Sequence, residues 1–217
     1  MRKTFVKFCG ITDPTTLTLA PPGGAVGFVV DVPSSPRSVS YERAQALAED
    51  VPSETEVWAV VVHPSVESVH RLFDEVGVDW IQVHGSVPEG LDPIERHRLV
   101  PSMAILPGGS EVPPPPLPAD TEIRRLHLDV AGASSPGGTG QVPSWSACAS
   151  VVERMAGCKV LLGGGLNADN VAEALSTVRP WGVDVSSGIE SAPGVKDPER
   201  MRRFLEAVDS WESSSHA

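Results

Sequence analysis

Short apolar segments recur along the chain at nearly regular spacing, and a polar or amphipathic segment follows each of them. Their β-branched, almost continuously apolar composition is typical of strands that are covered on both faces, as in a parallel sheet. The pattern predicts eight strands, at residues 4–8, 25–30, 57–62, 78–83, 102–105, 125–129, 159–162 and 182–186.

The segments between these strands predict helices, most of which follow a residue suited to an N-cap. A glycine- and proline-rich segment at 107–120 cannot form a helix interior, because proline has no backbone N–H to donate. We expect a polyproline crossover there, in place of the fifth helix, and a plain surface loop is the alternative. The helices are predicted at 40–49, 65–76, 144–156, 168–178 and 198–212, with two shortened ones at 13–19 and 92–98.

Strands that alternate with helices predict an α/β fold. We expect one domain over residues 1–217, folded as a closed, parallel TIM (βα)8 barrel with a shortened first helix. An open, doubly wound sheet is the alternative, but the turn after the first strand, CGITD, lacks a dinucleotide-binding fingerprint. Polar residues gather toward the carboxyl ends of several strands, where barrel active sites lie. They are Lys7 and Cys9, Gln82 and His84, His127 and Asp129, and Asp184 and Ser186.

The composition argues against several classes of protein. The formal net charge of −11 disfavours nucleic-acid binding, which requires a clustered basic face. No apolar run approaches the roughly 20 residues of a membrane-spanning helix, and the first residues lack the apolar core of a signal peptide. A cytoplasmic protein is therefore expected. The cysteines Cys9, Cys148 and Cys158 show no CxxC spacing, so neither a disulfide framework nor a metal site is expected.

Two late segments have the composition of a phosphate-binding site. In LLGGGLNADNV (161–171) and GVDVSSGIE (182–190), an apolar run ends in small residues, and a helix start or a further turn follows. Glycine lets the backbone approach an anion closely, and a helix start offers unpaired N–H groups. Loops after the seventh and eighth strands of a barrel often bind phosphate in this way. The ligand is therefore expected to carry a phosphate group.

The order and spacing of the motifs resemble those of the phosphoribosylanthranilate isomerase family from about residue 4 to residue 208. The resemblance implies a cofactor-free barrel of tryptophan biosynthesis, acting on a small-molecule substrate. The implied reaction is the Amadori rearrangement of N-(5-phosphoribosyl)anthranilate to the carboxyphenylamino-deoxyribulose phosphate. The motifs are VKFCGIT (6–12), GFVV and SPRSVS within 27–40, IQVHG (81–85), LHLD and GGTG within 126–140, LLGGGLNADNV, and GVDVSSGIE with PGVKD within 182–197.

The resemblance also implies two catalytic residues. Cys9 would be the base that removes the C2 proton, and Asp129 the acid that protonates the ring oxygen of the ribose. A thiol becomes an effective base when its pKa falls toward neutrality near a cation, to which Lys7 or Arg37 would contribute. The alternatives are that Cys9 is a buried packing residue and that Asp129 caps the following turn.

Five further residues are expected to bind the substrate or to support the site. Arg37 suits the anthranilate carboxylate, because a guanidinium pairs with carboxylates in bidentate fashion; a surface arginine is the alternative. Lys7 and Asp184 would form a buried pair between the first and eighth strands, unless Lys7 reaches the substrate. Gln82 and His84 would edge the aromatic pocket, although a structural role for His84 is equally open.

The phosphate group is expected to lie on backbone amides of the two late loops, at Gly164, Gly165, Ser187 and Gly188. Residues 138–140 are expected to form a flexible glycine flap that closes over the ligand. Within this flap, Gly138 would add a phosphate contact, and residue 139, expected to be a glycine like its neighbours, would add none.

Three departures from the family and two rival functions remain open. The first helix is shortened, the fifth-helix region is proline-rich, and VDVPSSPR (30–37) differs from the tyrosine-containing form associated with the family. A related sugar isomerase of histidine biosynthesis is the first rival, but it needs phosphate loops in both halves and an aspartate in place of Cys9. The second rival is a non-catalytic phosphate-binding barrel. Both a monomer and a homodimer are compatible with the sequence.

Overall fold

Eight parallel strands close into a barrel in the computed structural model, which describes residues 4–106, 109–114, 122–130 and 145–215. Each strand pairs with the next along the chain, and β1 pairs with both β2 and β8, which closes the ring. The predicted closed barrel is therefore confirmed. The strands are β1 (Phe5–Cys9), β2 (Ala25–Val30), β3 (Glu56–Val62), β4 (Trp80–His84), β5 (Leu99–Ile105), β6 (Arg125–Val130), β7 (Lys159–Gly163) and β8 (Gly182–Val185).

Helices cover the outside of the ring, and side chains cap several of their amino-terminal ends. Ser40 and Ser65 accept backbone N–H bonds at two starts, and Asp92 forms a capping box with Glu95. Within the described ranges, no helix combines the length and the apolar character needed to cross a bilayer. The helices are α1 (Tyr41–Ala48), α2 (Val66–Arg71), which a π-helical turn at Leu72–Val76 continues, α3 (Pro93–His97), α4 (Trp145–Arg154), α5 (Val171–Val178) and α6 (Pro198–Ser215).

The two irregular regions of the predicted barrel differ in how they are built. The expected short first helix is a 3-10 helix at Pro14–Leu19. In the described part of the proline-rich segment, Glu111–Val112 pairs antiparallel with the end of β5 and no helix occurs. The rest of the predicted crossover lies outside the described residues. Strand β5 begins at Leu99 and runs through Pro101, whereas the sequence pattern predicts a strand that starts only after this proline.

An arginine surrounded by aromatic rings fills the amino-terminal end of the barrel. Arg125 is 7% exposed, and its guanidinium carbon lies 3.8 Å from the centre of the Trp80 ring. Its nitrogens donate to both carboxylate oxygens of Glu56, at 2.7 and 2.9 Å. Cation–π contact and a bidentate pair together satisfy a charge that burial alone would disfavour. The other rings within 5.6 Å of the guanidinium are those of Phe5, Trp58 and Trp181.

Candidate active site

A cavity of about 620 Å³ opens at the carboxyl-terminal ends of the strands. This is the end of a barrel at which catalytic side chains collect. Lys7 and Gly188 are the two described site residues that do not line it. The predicted site residues that the cavity brings together are Cys9, Arg37, Gln82, His84, Asp129, Gly164, Gly165, Asp184 and Ser187.

The predicted glycine flap at 138–140 requires a correction at its middle position. Residue 139 is a threonine, Thr139, so the expectation of a glycine there is wrong. A β-branched side chain restricts the backbone more than glycine does, so the freedom of a continuous glycine run does not extend through this position. Gly138, Thr139 and Gly140 all lie outside the described residues, and the phosphate contact at Gly138 stays a prediction.

Cys9 and Asp129 reach the cavity from different walls. Cys9 is the last residue of β1, and Asp129 lies near the end of β6. Around the closed ring these strands are three steps apart, through β8 and β7. A ligand between the two walls therefore meets a thiol on one side and a carboxyl group on the other.

The environment of Cys9 differs from the predicted one. Burial raises the pKa of the Cys9 thiol, and this effect outweighs the ammonium groups of Lys7 and Lys196, which lower it. The expectation that its pKa falls toward neutrality is therefore wrong for this structure. The Asp184 carboxylate largely offsets the charge of the Lys7 ammonium, and the Arg37 guanidinium is bound to the Glu190 carboxylate.

Below the cavity, Lys7 and Asp184 form the predicted buried pair. The Lys7 ammonium is fully buried and donates to Asp184 Oδ1 at 2.9 Å and to Gln82 Oε1 at 3.1 Å. The pair forms because β1 and β8 are neighbours with Lys7 opposite Asp184. Burial would lower the pKa of Lys7, but the Asp184 carboxylate raises it; burial would raise the pKa of Asp184, but Lys7 and His127 lower it. Both groups are therefore charged, and Asp184 also lines the cavity.

His127 belongs to the same polar network, and the sequence analysis assigned it no function. Its Nε2 lies 3.1 Å from Asp184 Oδ2, and its Nδ1 lies 3.1 Å from Gln82 Nε2. Since Lys7 only donates, Gln82 turns its amide oxygen toward the ammonium and its amide nitrogen toward His127 and His84. His127 therefore accepts at Nδ1 and donates from Nε2 to Asp184. The available signal was strand alternation, which places His127 on the same face as Asp129.

His84 also accepts from this amide, and it is neutral. The Gln82 Nε2 to His84 Nε2 distance is 2.9 Å. Burial lowers the pKa of His84 to about 4, with a smaller contribution from the neighbouring His127. His84 thus presents an uncharged ring to the cavity at neutral pH.

Arg37 crosses the cavity rim and pairs with a residue that the sequence analysis missed. Its Nε and one terminal nitrogen donate to the two carboxylate oxygens of Glu190, at 2.7 and 2.6 Å. Glu190 is 5% exposed and also accepts from Lys196 at 2.7 Å. Two of the five guanidinium N–H groups are used in this pair, which leaves others for a ligand carboxylate. Glu190 and Lys196 stand inside the quoted motifs SGIE and PGVKD, but nothing in their spacing identified Glu190 as the common partner of Arg37 and Lys196.

The loops after β7 and β8 form one end of the cavity. Gly164 and Gly165 have φ values of +90° and +64°, and a Cβ on Gly164 would lie 2.4 Å from the backbone of Val130. Only glycine fits this close, left-handed turn. Gly188 has a different place: a Cβ there would lie 1.9 Å from the Leu166 carbonyl oxygen, so this glycine packs the two loops together.

The opposite wall is apolar. Val29 and Val60 form a small cluster with Cys9 and Val32, and all four line the cavity. Val32 belongs to the segment VDVPSSPR (30–37). In the described ranges, no three His, Cys, Asp or Glu side chains are grouped so as to hold a metal ion.

Comparison with known proteins identifies relatives along nearly the whole chain. A family model described as N-(5'phosphoribosyl)anthranilate (PRA) isomerase matches residues 6–207. The N-(5'-phosphoribosyl)anthranilate isomerase of Azorhizobium caulinodans is 38% identical over 217 residues, which cover 97% of this chain and 93% of the relative. That of Bordetella pertussis is 35% identical over 217 residues, covering 96% and 97% of the two chains.

Solved structures agree with these relatives. TrpF from Jonesia denitrificans superposes with a TM-score of 0.73 at 31% identity, covering 96% of this chain and 98% of that one. A phosphoribosyl anthranilate isomerase in complex with reduced 1-(o-carboxyphenylamino)-1-deoxyribulose 5-phosphate gives 0.72 at 28% identity, covering 95% and 99%. The chain therefore belongs to the N-(5'-phosphoribosyl)anthranilate isomerase family, and the isomerase function predicted from its motifs is confirmed.

Proposed function

We propose that this cavity isomerises N-(5'-phosphoribosyl)anthranilate with Cys9 as the general base and Asp129 as the general acid. The observation that carries the assignment is their placement on two walls of one cavity, three strands apart. The reaction requires proton transfer at two positions of one ribose, the ring oxygen and C2. We assign the two transfers to different residues because the thiol and the carboxyl group face the ribose from different walls.

The two ends of the cavity support one orientation of the substrate. The valine wall and Arg37 suit the anthranilate ring and its carboxylate, because an apolar face and a bidentate donor lie together. The glycine loop at Gly164 and the adjacent Ser187 suit the phosphate. The ribose then lies between these ends, next to the thiol and the carboxyl group.

The reaction begins at the ring oxygen. Asp129 donates a proton to this oxygen as its bond to C1 breaks, and the anilino nitrogen lone pair forms the C1=N iminium. The Cys9 thiolate then removes the C2 proton, and the C2–H electrons form the C1=C2 bond of an enolamine as the C1=N π electrons return to the anilino nitrogen. Tautomerisation of the enolamine gives the 2-ketone. Proton transfer by positioned groups of this kind contributes about 100-fold to 10,000-fold each.

Asp184 supports the site through the network below it. Lys7 holds Asp184 from one side and His127 holds it from the other. The carboxylate therefore enters the cavity floor in a fixed orientation. We assign Lys7 a positioning role beneath the substrate, since its ammonium is fully buried.

The direct test is loss of the fluorescence of phosphoribosylanthranilate on addition of the purified protein. Cys9→Ala and Asp129→Asn are expected to lower kcat by at least about 100-fold, while the substrate still binds. Cys148→Ala is a matched control, because this buried cysteine lies in α4, away from the cavity lining. Unchanged turnover in Cys9→Ala would remove Cys9 from the mechanism.

A further inference from the structure

Four residues connect the two ends of the cavity along its rim. Arg37 donates to Glu190, Glu190 accepts from Lys196, and Lys196 donates to the carbonyl oxygen and the hydroxyl oxygen of Ser186, at 3.1 and 3.3 Å. Arg37 and Ser186 line the cavity, but Glu190 and Lys196 do not. The chain of contacts therefore begins and ends at the ligand site and passes behind it.

The two middle residues of this series of contacts, Glu190 and Lys196, are buried, and every N–H donor of the Lys196 ammonium has an acceptor. The side chains of Glu190 and Lys196 are 4% and 1% exposed. An ammonium group has three N–H donors, and the three contacts of Lys196 match that number. Lys196 therefore cannot turn toward a ligand without leaving Ser186 or Glu190.

A short hairpin fixes these residues in place. Glu190–Ala192 pairs antiparallel with Val195–Lys196, with Glu190 directly opposite Lys196. The turn includes Gly194, whose φ is +82° and whose carbonyl accepts from the Thr12 hydroxyl at 3.1 Å. A Cβ on Gly194 would lie 2.4 Å from the Pro36 carbonyl oxygen, so the hairpin lies against the segment that carries Arg37.

The charged groups of this hydrogen-bonded series leave one positive charge available to a ligand. Glu190 lies between two cations, and bonding to Glu190 raises the pKa of Arg37. With one carboxylate between a guanidinium and an ammonium, the group carries a net positive charge of one. Because Lys196 has no spare donor, this charge is presented to the cavity through Arg37.

We infer that Glu190 and Lys196 are positioning residues that set the spacing between the carboxylate-binding and phosphate-binding ends of the site. Glu190 holds Arg37 at one end, and Lys196 holds Ser186 and the adjoining loop at the other. The inference rests on the proposed roles of Arg37 and the Ser187 loop in substrate binding. It assigns a function to two residues that do not touch the substrate.

Two ligands distinguish the two ends. Reduced 1-(o-carboxyphenylamino)-1-deoxyribulose 5-phosphate reaches both ends, whereas ribose 5-phosphate reaches only the phosphate end. Glu190→Gln keeps an acceptor for Lys196 but removes one from Arg37. It is expected to weaken binding of the reduced analogue by about 10-fold or more and to leave the affinity for ribose 5-phosphate unchanged. Lys196→Met is expected to weaken binding of both ligands by about 10-fold to 100-fold.

Calorimetry on the whole protein measures both dissociation constants and the number of sites. A merely structural role would lower the number of binding sites through unfolding, without this pattern in the dissociation constants. Lys159→Met is the matched control, since this lysine is exposed at the opposite end of the barrel. If Lys196→Met does not melt cooperatively, Lys196→Gln replaces it under the same criteria.

The inference is overturned if Lys196→Met leaves the affinity for ribose 5-phosphate unchanged, or if Glu190→Gln leaves that for the reduced analogue unchanged. These results are distinct from failure of the proposed function. If the proposed function fails, the wild-type protein itself will neither bind the reduced analogue nor turn over phosphoribosylanthranilate.

Discussion

Lys7 Nζ lies 2.9 Å from Asp184 Oδ1 inside the barrel, although the two residues are 177 positions apart in the chain. The contact joins the first strand to the last and exists only because the ring closes. Both side chains are largely removed from bulk solvent, since Lys7 is fully buried and Asp184 is 7% exposed. Loss of one partner therefore leaves an uncompensated charge.

We predict that Lys7→Met or Asp184→Asn alone lowers the free energy of unfolding by about 3–5 kcal/mol. The double variant is expected to be more stable than the sum of the single effects implies, because it removes both charges together. Urea unfolding followed by circular dichroism measures all three variants. Strictly additive effects would show that the pair is not coupled.

His84 makes the stability of the fold depend on pH. Its pKa is about 4 in the folded protein against 6.5 for an ordinary histidine, so the unfolded chain binds the proton more readily between these values. The stability that neutral His84 provides is complete above about pH 6.5 and is lost as the pH falls toward 4. This loss lowers the free energy of unfolding by at most about 3 kcal/mol. His84→Gln is expected to flatten this part of the stability curve. An equally steep curve in that variant would assign the dependence to other groups.

Much of the barrel was predictable because each strand carries its own local signal. Alternation along single strands, with the rule that barrel sites lie at carboxyl ends, predicts the placement of Cys9, Gln82, His84, Asp129 and Asp184. The catalytic roles of Cys9 and Asp129 come only from the family resemblance. The strand positions themselves needed only short apolar runs.

The missed relationships are those that join distant parts of the chain or depend on burial. Arg37 and Glu190 are 153 positions apart and lie on separate loops, so no local pattern pairs them. The direction of the Cys9 pKa shift depends on how deeply the thiol is buried, and sequence does not measure that depth. Pro101 made the predicted fifth strand start late, at residue 102, although β5 includes this proline.

Arg125 is expected to matter for stability and not for catalysis. Arg125→Met removes the cation from its aromatic surroundings and leaves Glu56 without its bidentate partner, at the end of the barrel away from the cavity. We predict a loss of about 2–4 kcal/mol in the free energy of unfolding, with kcat and KM nearly unchanged below the melting temperature. Thermal melting and steady-state kinetics on one preparation test both parts. A rise in KM at a temperature where the variant is fully folded would show that the amino-terminal end of the barrel does affect the cavity.

Cys9 is expected to give the reaction a rising pH profile. Because burial raises the pKa of the thiol, only a minor fraction is thiolate at neutral pH, and this fraction grows as the pH increases. We therefore predict that kcat/KM increases by about tenfold per pH unit through neutrality, until another group or the fold itself limits it. The measurement uses the Cys148→Ala/Cys158→Ala background, so that Cys9 is the only thiol that an alkylating reagent can modify. Alkylation of the remaining thiol should follow the same pH dependence as kcat/KM. A profile that is flat from about pH 6 to pH 9 while alkylation still rises would show that the thiolate of Cys9 is not the base.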